Sequence, residues 1–418
     1  MKRKSKYWRV VIVLLSLAVL MGMLCFFPSA CDWYTDHIYG FLCDGISHVT
    51  GLLPFALGEI MMYLGILLLL LSIPILILLI FLRKKAGYRK FCAGYFKTFL
   101  MMGVCVVFLY VPCWLVPFCG TLLGKGENDQ RTEFTVQEIS ALYVYTVNGI
   151  NSAAEEIEIA EDGTVNFYTV DEGMQKVNTA MQNLADEYPR LAGYYPPVKT
   201  AICSDILERM GIGGYNYPFT MEPTHNKYMS PIYTLSLDAH ELSHHKGYYK
   251  ENEAELLSQL ALIKDADPFL RFPGYDRMFS WIQDEWDDAV GSAIDEAVQN
   301  GTVTLPTMPD PNSNMTEAEY ERQVAEVFNA LTEMAQQICG TEIPELSQRV
   351  YDIWSAAAGI RKVIYEADEH PIDDMPTVQE VIEETAETGW KVQGDILQEN
   401  TYSGVVLLLL QYFDGKLY

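Results

Sequence analysis

Basic residues are the scarce class in this chain of 418 residues, with 29 Lys+Arg against 55 Asp+Glu. A surface with that deficit repels phosphate backbones, which excludes nucleic acid as an expected partner. Cysteine is sparse as well, at 9 residues, too few for a disulfide-stapled scaffold. Internal repeats and low-complexity tracts are absent, which sets aside solenoid, collagen-like and wholly disordered classes. Charge of either sign is nearly missing from three long stretches near the start. Tyr7 to Phe27 is interrupted only by Arg9, and Ile60 to Leu82 and Thr98 to Leu122 are apolar throughout.

About 20 apolar residues at 1.5 Å each cross a hydrocarbon core, so these stretches read as membrane spans over 7–27, 60–82 and 98–122. The first is longer than the apolar core of a cleaved leader and is taken as an anchor. Lys2, Arg3, Lys4, Lys6 and Arg9 lie in or before the first span, and Arg83, Lys84, Lys85, Arg89, Lys90 and Lys97 follow the second. Pro28 to Glu59 has no basic residue. Basic flanks stay cytoplasmic, so the N-terminus is expected inside and everything after the third span outside.

The charge balance changes after the spans. Up to Gly126 there are 12 basic and 4 acidic residues, leaving 17 and 51 for the remainder. The expected organisation is a membrane anchor over 1–123, a linker over 124–133, and an acidic extracytoplasmic domain over 134–418. Within it, Ala160 to Tyr168 reads as a hairpin around Asp162-Gly163, Val198 to Cys203 as a short strand, and Tyr228 to Leu237 as an extended segment. Helices are expected at 251–264, 276–300, 316–338, 343–369, 377–388 and 402–413. Val405 to Leu410 is very apolar but too short to span, so it reads as a core helix. Cys31 with Cys43, and Cys203 with Cys339, are possible pairs in an oxidising space.

The segment that carries chemistry runs from Asp238 to Gly247, where His240, Glu241 and His244 form H-E-x-x-H. On a helix, residues four apart share a face, so the two imidazoles can ligate one Zn²⁺ while Glu241 serves as general base toward water. A catalytic zinc site needs a third protein ligand. In a longer zinc-binding pattern that ligand is a histidine at the position of Lys250, which cannot ligate. The acidic run Glu251-Asn-Glu-Ala-Glu255 supplies the alternatives. Glu253 shares a helical face with Leu256, Leu257 and Leu260 and is chosen, with Glu251 as the alternative. His245 points about 100° away from His244 and reads as a surface or supporting residue. Glu222, His225 and Asn226 read as a polar turn. Tyr248, Tyr249, His370 and Tyr402 are candidate stabilisers of a developing oxyanion.

From Tyr195 to Phe269 the chain resembles a family of bacterial membrane proteins, the domain-of-unknown-function family 3810. The resemblance rests on Tyr195-Pro-Pro-Val-Lys, on Gly213-Gly-Tyr-Asn-Tyr-Pro-Phe-Thr-Met-Glu222, and on Pro231 into His240-Glu-Leu-Ser-His. It also includes Lys246-Gly247 and Glu251-Asn-Glu-Ala. Weaker similarity covers the spans and the final apolar segment. The chain departs from the family pattern at His245, where Gln is usual, and at Glu255, where Asn is usual. The resemblance implies membrane-anchored zinc metallopeptidases of zincin type, with a glutamate after H-E-x-x-H as third ligand, and no particular substrate.

Together these readings give an α+β expectation: three N-terminal transmembrane helices, then a zincin-like, mostly helical extracytoplasmic domain with a small sheet. The expected cofactor is Zn²⁺, and the expected partners are the lipid bilayer and a protein or peptide substrate. A non-catalytic zinc-binding scaffold tethered to the membrane is the alternative.

Overall fold

The computed structural model describes residues 2–123, 131–310, 315–368 and 404–418. The helix expected at 377–388, with His370 and Tyr402, lies outside these residues, as does most of the expected linker. Helices dominate, with one small sheet. The chain forms two compact units, each described as far as its residues are. The first comprises Met1–Leu123, Phe167–Ala261 and Ala357–Asp395, and the second Gly124–Asn166, Leu262–Ala356 and Ile396–Tyr418. The apolar helices thus share a unit with the H-E-x-x-H segment.

Among the described residues, three helices are long and apolar enough to cross a membrane: Lys6–Phe26, Leu57–Leu82 and Ala86–Phe118. Leu69, Ile73, Leu76, Ile80 and Phe81 are exposed along the second, a surface that water would disfavour and acyl chains would cover. The third begins twelve residues before its expected start, because no helix breaker separates Ala86 from the apolar run. Between the first two, the expected loop is helical instead, forming α2 (Pro28–Tyr34) and α3 (Gly40–Thr50) after α1 (Lys2–Gly22). The later helices of this region are α4 (Leu57–Leu82), α5 (Ala86–Tyr110) and α6 (Val116–Phe118).

The first unit continues with α8 (Val170–Asn183), α9 (Ser204–Arg209) and a sheet of three strands, β1 (Lys199–Thr200), β2 (Gly214–Tyr217) and β3 (Glu222–His225). The order is β1-β3-β2, with β1 parallel and β2 antiparallel to the central β3, so β2 is an edge. The sheet is fastened to the start of α4 by buried charge. Lys199 donates to the Thr50 and Phe55 carbonyls and to Glu222, while the Glu222 carboxylate accepts the N–H groups of Leu57 and Gly58 at 2.9 Å. Every donor of that ammonium and both carboxylate oxygens are engaged, which is the condition for burying such a pair. Glu59 repeats the arrangement, accepting from the Ile202 and Cys203 N–H groups. At Gly58 the approach is so close that a Cβ would meet the Tyr217 ring at 2.3 Å. Glu222 and His225 are therefore buried strand residues, not members of a polar turn.

The site helix α10 spans Pro231–His245. The expected extended segment over Tyr228 to Leu237 is helical from Pro231 onward. Ser230 caps it by accepting the Tyr233 N–H, and Pro231 occupies the first turn, where its missing N–H costs nothing. Burial on nearly all sides removed the 3.6-residue contrast that marks a helix in a sequence. Its end is fixed by Gly247 at φ +91°: the Gly247 N–H reaches the His244 carbonyl and the Tyr248 N–H the Ser243 carbonyl, a left-handed stop that favours glycine.

The second unit packs α7 (Val136–Glu156) along α12 (Pro268–Gln299). Tyr143 stacks on Trp286 at 4.1 Å, and Gly149 leaves room for the Tyr275 ring, which a Cβ would meet at 2.3 Å. The short apolar helix Gly404–Phe413 is buried in this unit, as its length required. The expected hairpin is reduced to one bridge, Ile159 with Val165, turned by Gly163. Helix α11 (Glu251–Ile263) and helix α14 (Gln348–Ala367) each run from one unit into the other, and α13 (Glu317–Cys339) belongs to the second.

Candidate metal centre

His240 and His244 share one face of α10, with ring centroids 4.7 Å apart. After the Gly247 turn, the first turn of α11 lies against that face. The Glu251 carboxylate stands 3.0 Å from His240 Nε2 and 3.6 Å from His244 Nε2, and the three ligand atoms lie within 4.8 Å of one another. Two ligands about 2.0–2.1 Å from one tetrahedral zinc are about 3.3 Å apart, so both distances bracket the edge of such a polyhedron.

The third acid brought to the histidines is thus Glu251, the alternative, and not Glu253. Glu253 faces elsewhere: its Oε1 accepts the Leu123 N–H at 2.7 Å, beside Lys250, whose ammonium donates to the Gly120 carbonyl. The pair ties the start of α11 to the end of the third apolar helix. The physical reason is that α11 is buried on several sides, so the face carrying its leucines is not the face toward α10. Glu251 and Glu255 are four apart and share a face, matching the four-residue spacing of the histidines. That paired spacing was the signal in the sequence.

Supporting contacts set the imidazoles. His244 Nδ1 lies 2.8 Å from the Tyr248 carbonyl oxygen, which only an N–H can satisfy, so Nε2 is the ring atom that faces Glu251 and is left for a metal ion. Glu255 lies 3.3 Å from His240 Nδ1 and accepts from Gln259. Burial disfavours a charged imidazole, but Glu251 and Glu255 overcome it and hold His240 up to about 10. Glu251 is held well below the usual carboxylate range: burial opposes this, and the charge of His244 and the hydrogen bond of His240 prevail. Carboxylates that stabilise a positive imidazole in this way offer the same negative field to a metal ion.

Glu241 is buried beside this group. Burial raises its carboxyl to about 7 against the pull of His244 and His240, and its Oε2 has no hydrogen-bond partner among the described residues. The edge strand lies directly against it: a Cβ on Gly214 would stand 3.0 Å from Glu241 Oε1 and 2.5 Å from the Thr224 carbonyl. Glycine is what admits β2 here. Two residues along, on the same strand face, Asn216 has both side-chain polar atoms buried and without partners among the described residues. Asn216 was not singled out from the sequence, where an asparagine between tyrosines carries no signal.

Around the centre, His225 on β3 pairs with Asp238 on α10 at 2.7 Å. Burial lowers the pKa of His225, but the charge of Asp238 overcomes this and leaves it raised. The pair holds the sheet to the helix one turn before Glu241. Tyr249 stacks on the His244 ring and its hydroxyl meets that of Tyr39, while Tyr248 faces Arg190. His245 is fully buried rather than at the surface. None of the nine cysteines forms a disulfide.

A family model described as a protein of unknown function, DUF3810, matches residues 34–354. The chain belongs to this family. The match begins within α2 and ends within α14, so it takes in the second and third apolar helices, the sheet and the candidate metal centre together. No curated protein and no solved structure matches the chain.

Proposed function

We propose that this member of DUF3810 is a membrane-anchored, zinc-dependent metallopeptidase that hydrolyses protein or peptide substrates at the outer face of the cytoplasmic membrane. The observation that carries the reading is the convergence of His240, His244 and Glu251 beside a buried glutamate, one oxygen of which has no hydrogen-bond partner among the described residues. Zn²⁺ held by those three residues would supply Lewis acidity, activating water and polarising a carbonyl. Glu241, whose carboxyl is poised near neutrality, takes a proton from the attacking water and delivers it to the leaving amine. The side of β2 away from β3 pairs with no strand among the described residues, and its backbone groups can receive an extended peptide. Asn216 offers a donor and an acceptor along the same edge. A small sheet over an H-E-x-x-H helix is consistent with a zincin-like arrangement.

The placement outside the membrane rests on the basic residues around Lys2–Arg9 and Arg83–Lys97, which favour the cytoplasmic side. Because the first unit includes the apolar helices, the test uses the full chain in detergent. Glu241→Gln is expected to slow cleavage of casein or a peptide library by about 10²–10⁴-fold while metal content stays unchanged. Equal cleavage by the two proteins would eliminate Glu241 as the base.

A further inference from the structure

On the other side of the C-terminal turn of α10, His245 meets a second group of ligand atoms. Cys43 and Asp44 on α3 and His245 present a thiol, a carboxylate oxygen and an imidazole nitrogen within 4.8 Å of one another. All three belong to the first unit. We infer that Cys43, Asp44 and His245 form a second metal site, for a borderline divalent ion such as Zn²⁺, separate from the site of His240, His244 and Glu251.

Geometry and charge both support it. Cys43 Sγ stands 3.3 Å from His245 Nε2 and 3.5 Å from Nδ1. The edge between a thiolate and an imidazole nitrogen on one tetrahedral zinc is about 3.5 Å, from bond lengths of about 2.3 and 2.0–2.1 Å. The sulfur is nearly equidistant from both nitrogens, so a small side-chain rotation presents either one. On binding, the Cys43 S–H, which now points at the His245 carbonyl at 3.1 Å, loses its proton to solvent and the sulfur bonds to the metal. One thiolate and one carboxylate balance the charge of a divalent ion, so the complex adds no net charge to a buried position.

The fourth position is provided for. A cavity of about 230 Å³ adjoins the group, lined by all three residues and by Asp36, Arg190 and Lys246. Its cations are partnered: Lys246 donates to the Ala192 and Tyr194 carbonyls and stands 3.9 Å from the Asp44 carboxylate, a loose pair that leaves that carboxylate accessible to a metal ion, and Arg190 pairs with Asp36. None of His240, Glu241, His244 or Glu251 lines it. Water or a small anion can therefore reach the ion from this side without passing the first centre.

Cobalt distinguishes the two centres, because only this one contains sulfur. Full-length, reduced, metal-stripped protein in detergent is titrated with Co²⁺. The site predicts a near-ultraviolet thiolate-to-cobalt band that saturates at one thiolate per chain. The band persists in His240→Ala, is lost in Cys43→Ser, and needs at least ten-fold more Co²⁺ in His245→Gln. X-ray absorption on zinc-loaded His240→Ala adds a measurement that leaves Cys43 in place, with one Zn–S distance of about 2.3 Å expected. Absence of the band in the unaltered protein, its survival in Cys43→Ser, or a zinc shell without sulfur would each overturn the inference. Those results leave hydrolysis by the first centre untouched, and loss of hydrolysis alone leaves this site untouched.

Discussion

The two units are built from different materials. The one that carries the candidate metal centre buries Glu59, Lys199, Glu222, His225, Asp238, Glu241 and Glu253, and most of these engage a backbone group or an opposite charge. The other is held by stacked rings and apolar helix faces, such as Tyr143 on Trp286 and α7 along α12. Polar burial costs free energy unless every group is satisfied, and it gives rigid placement where it is. The contrast teaches that this rigidity is concentrated around the chemistry. There it fixes the sheet against α4 and α10, whereas aromatic packing suffices elsewhere.

The contrast can be broken most forcefully at Lys199. Lys199→Met leaves Glu222 buried and uncompensated and is expected to cost about 3–5 kcal/mol in the unfolding of the full chain in detergent. A loss below 1 kcal/mol would mean that the buried pair does not fasten the sheet. Next in size, Glu251→Ala should weaken zinc binding by about 100-fold or more, measured by competition with a chelator. Glu253→Ala should leave metal affinity within a few-fold of the unaltered protein, and the reverse ranking would restore Glu253 as the ligand.

The second unit has its own polar exception in Asp276, which accepts the Trp354 indole N–H at 2.8 Å. Burial raises its carboxyl to about 6, against the pull of that hydrogen bond and of Arg277. The folded chain therefore binds this proton more tightly than the unfolded one, and its contribution is present at low pH and lost as pH rises toward 6. Asp276→Asn should remove about 1–2 kcal/mol of that dependence between pH 4 and 7, read as the difference between the two proteins. The smallest effect is expected where a single neutral hydrogen bond is removed. Trp286→Phe keeps the stack on Tyr143 but loses the bond from the indole to Ser140, for about 1 kcal/mol.

Much of the molecule was legible in the sequence because its signals are local. The apolar spans, the described helices after Glu251 and the spacing of His240 and His244 depend on composition and period alone. The segment before the site was misread as extended for a physical reason: from Pro231 on it lies in a helix buried nearly all round, so nothing alternated to reveal the helical period. The same burial hid which face of α11 meets α10, and so favoured Glu253 over Glu251. The edge strand and Asn216 depend on long-range pairing with β3 and on Gly214 admitting a close approach, neither of which a local pattern records.

X-ray absorption combined with a zinc-bound crystal structure of the full-length protein tests the central claim most directly. The account predicts one zinc with a nitrogen from His240, a nitrogen from His244 and an oxygen from Glu251 at about 2.0–2.2 Å, and no protein side chain in the remaining position. Zinc bound through Glu253, a fourth side chain closing the site, or no metal between the two imidazoles would contradict it.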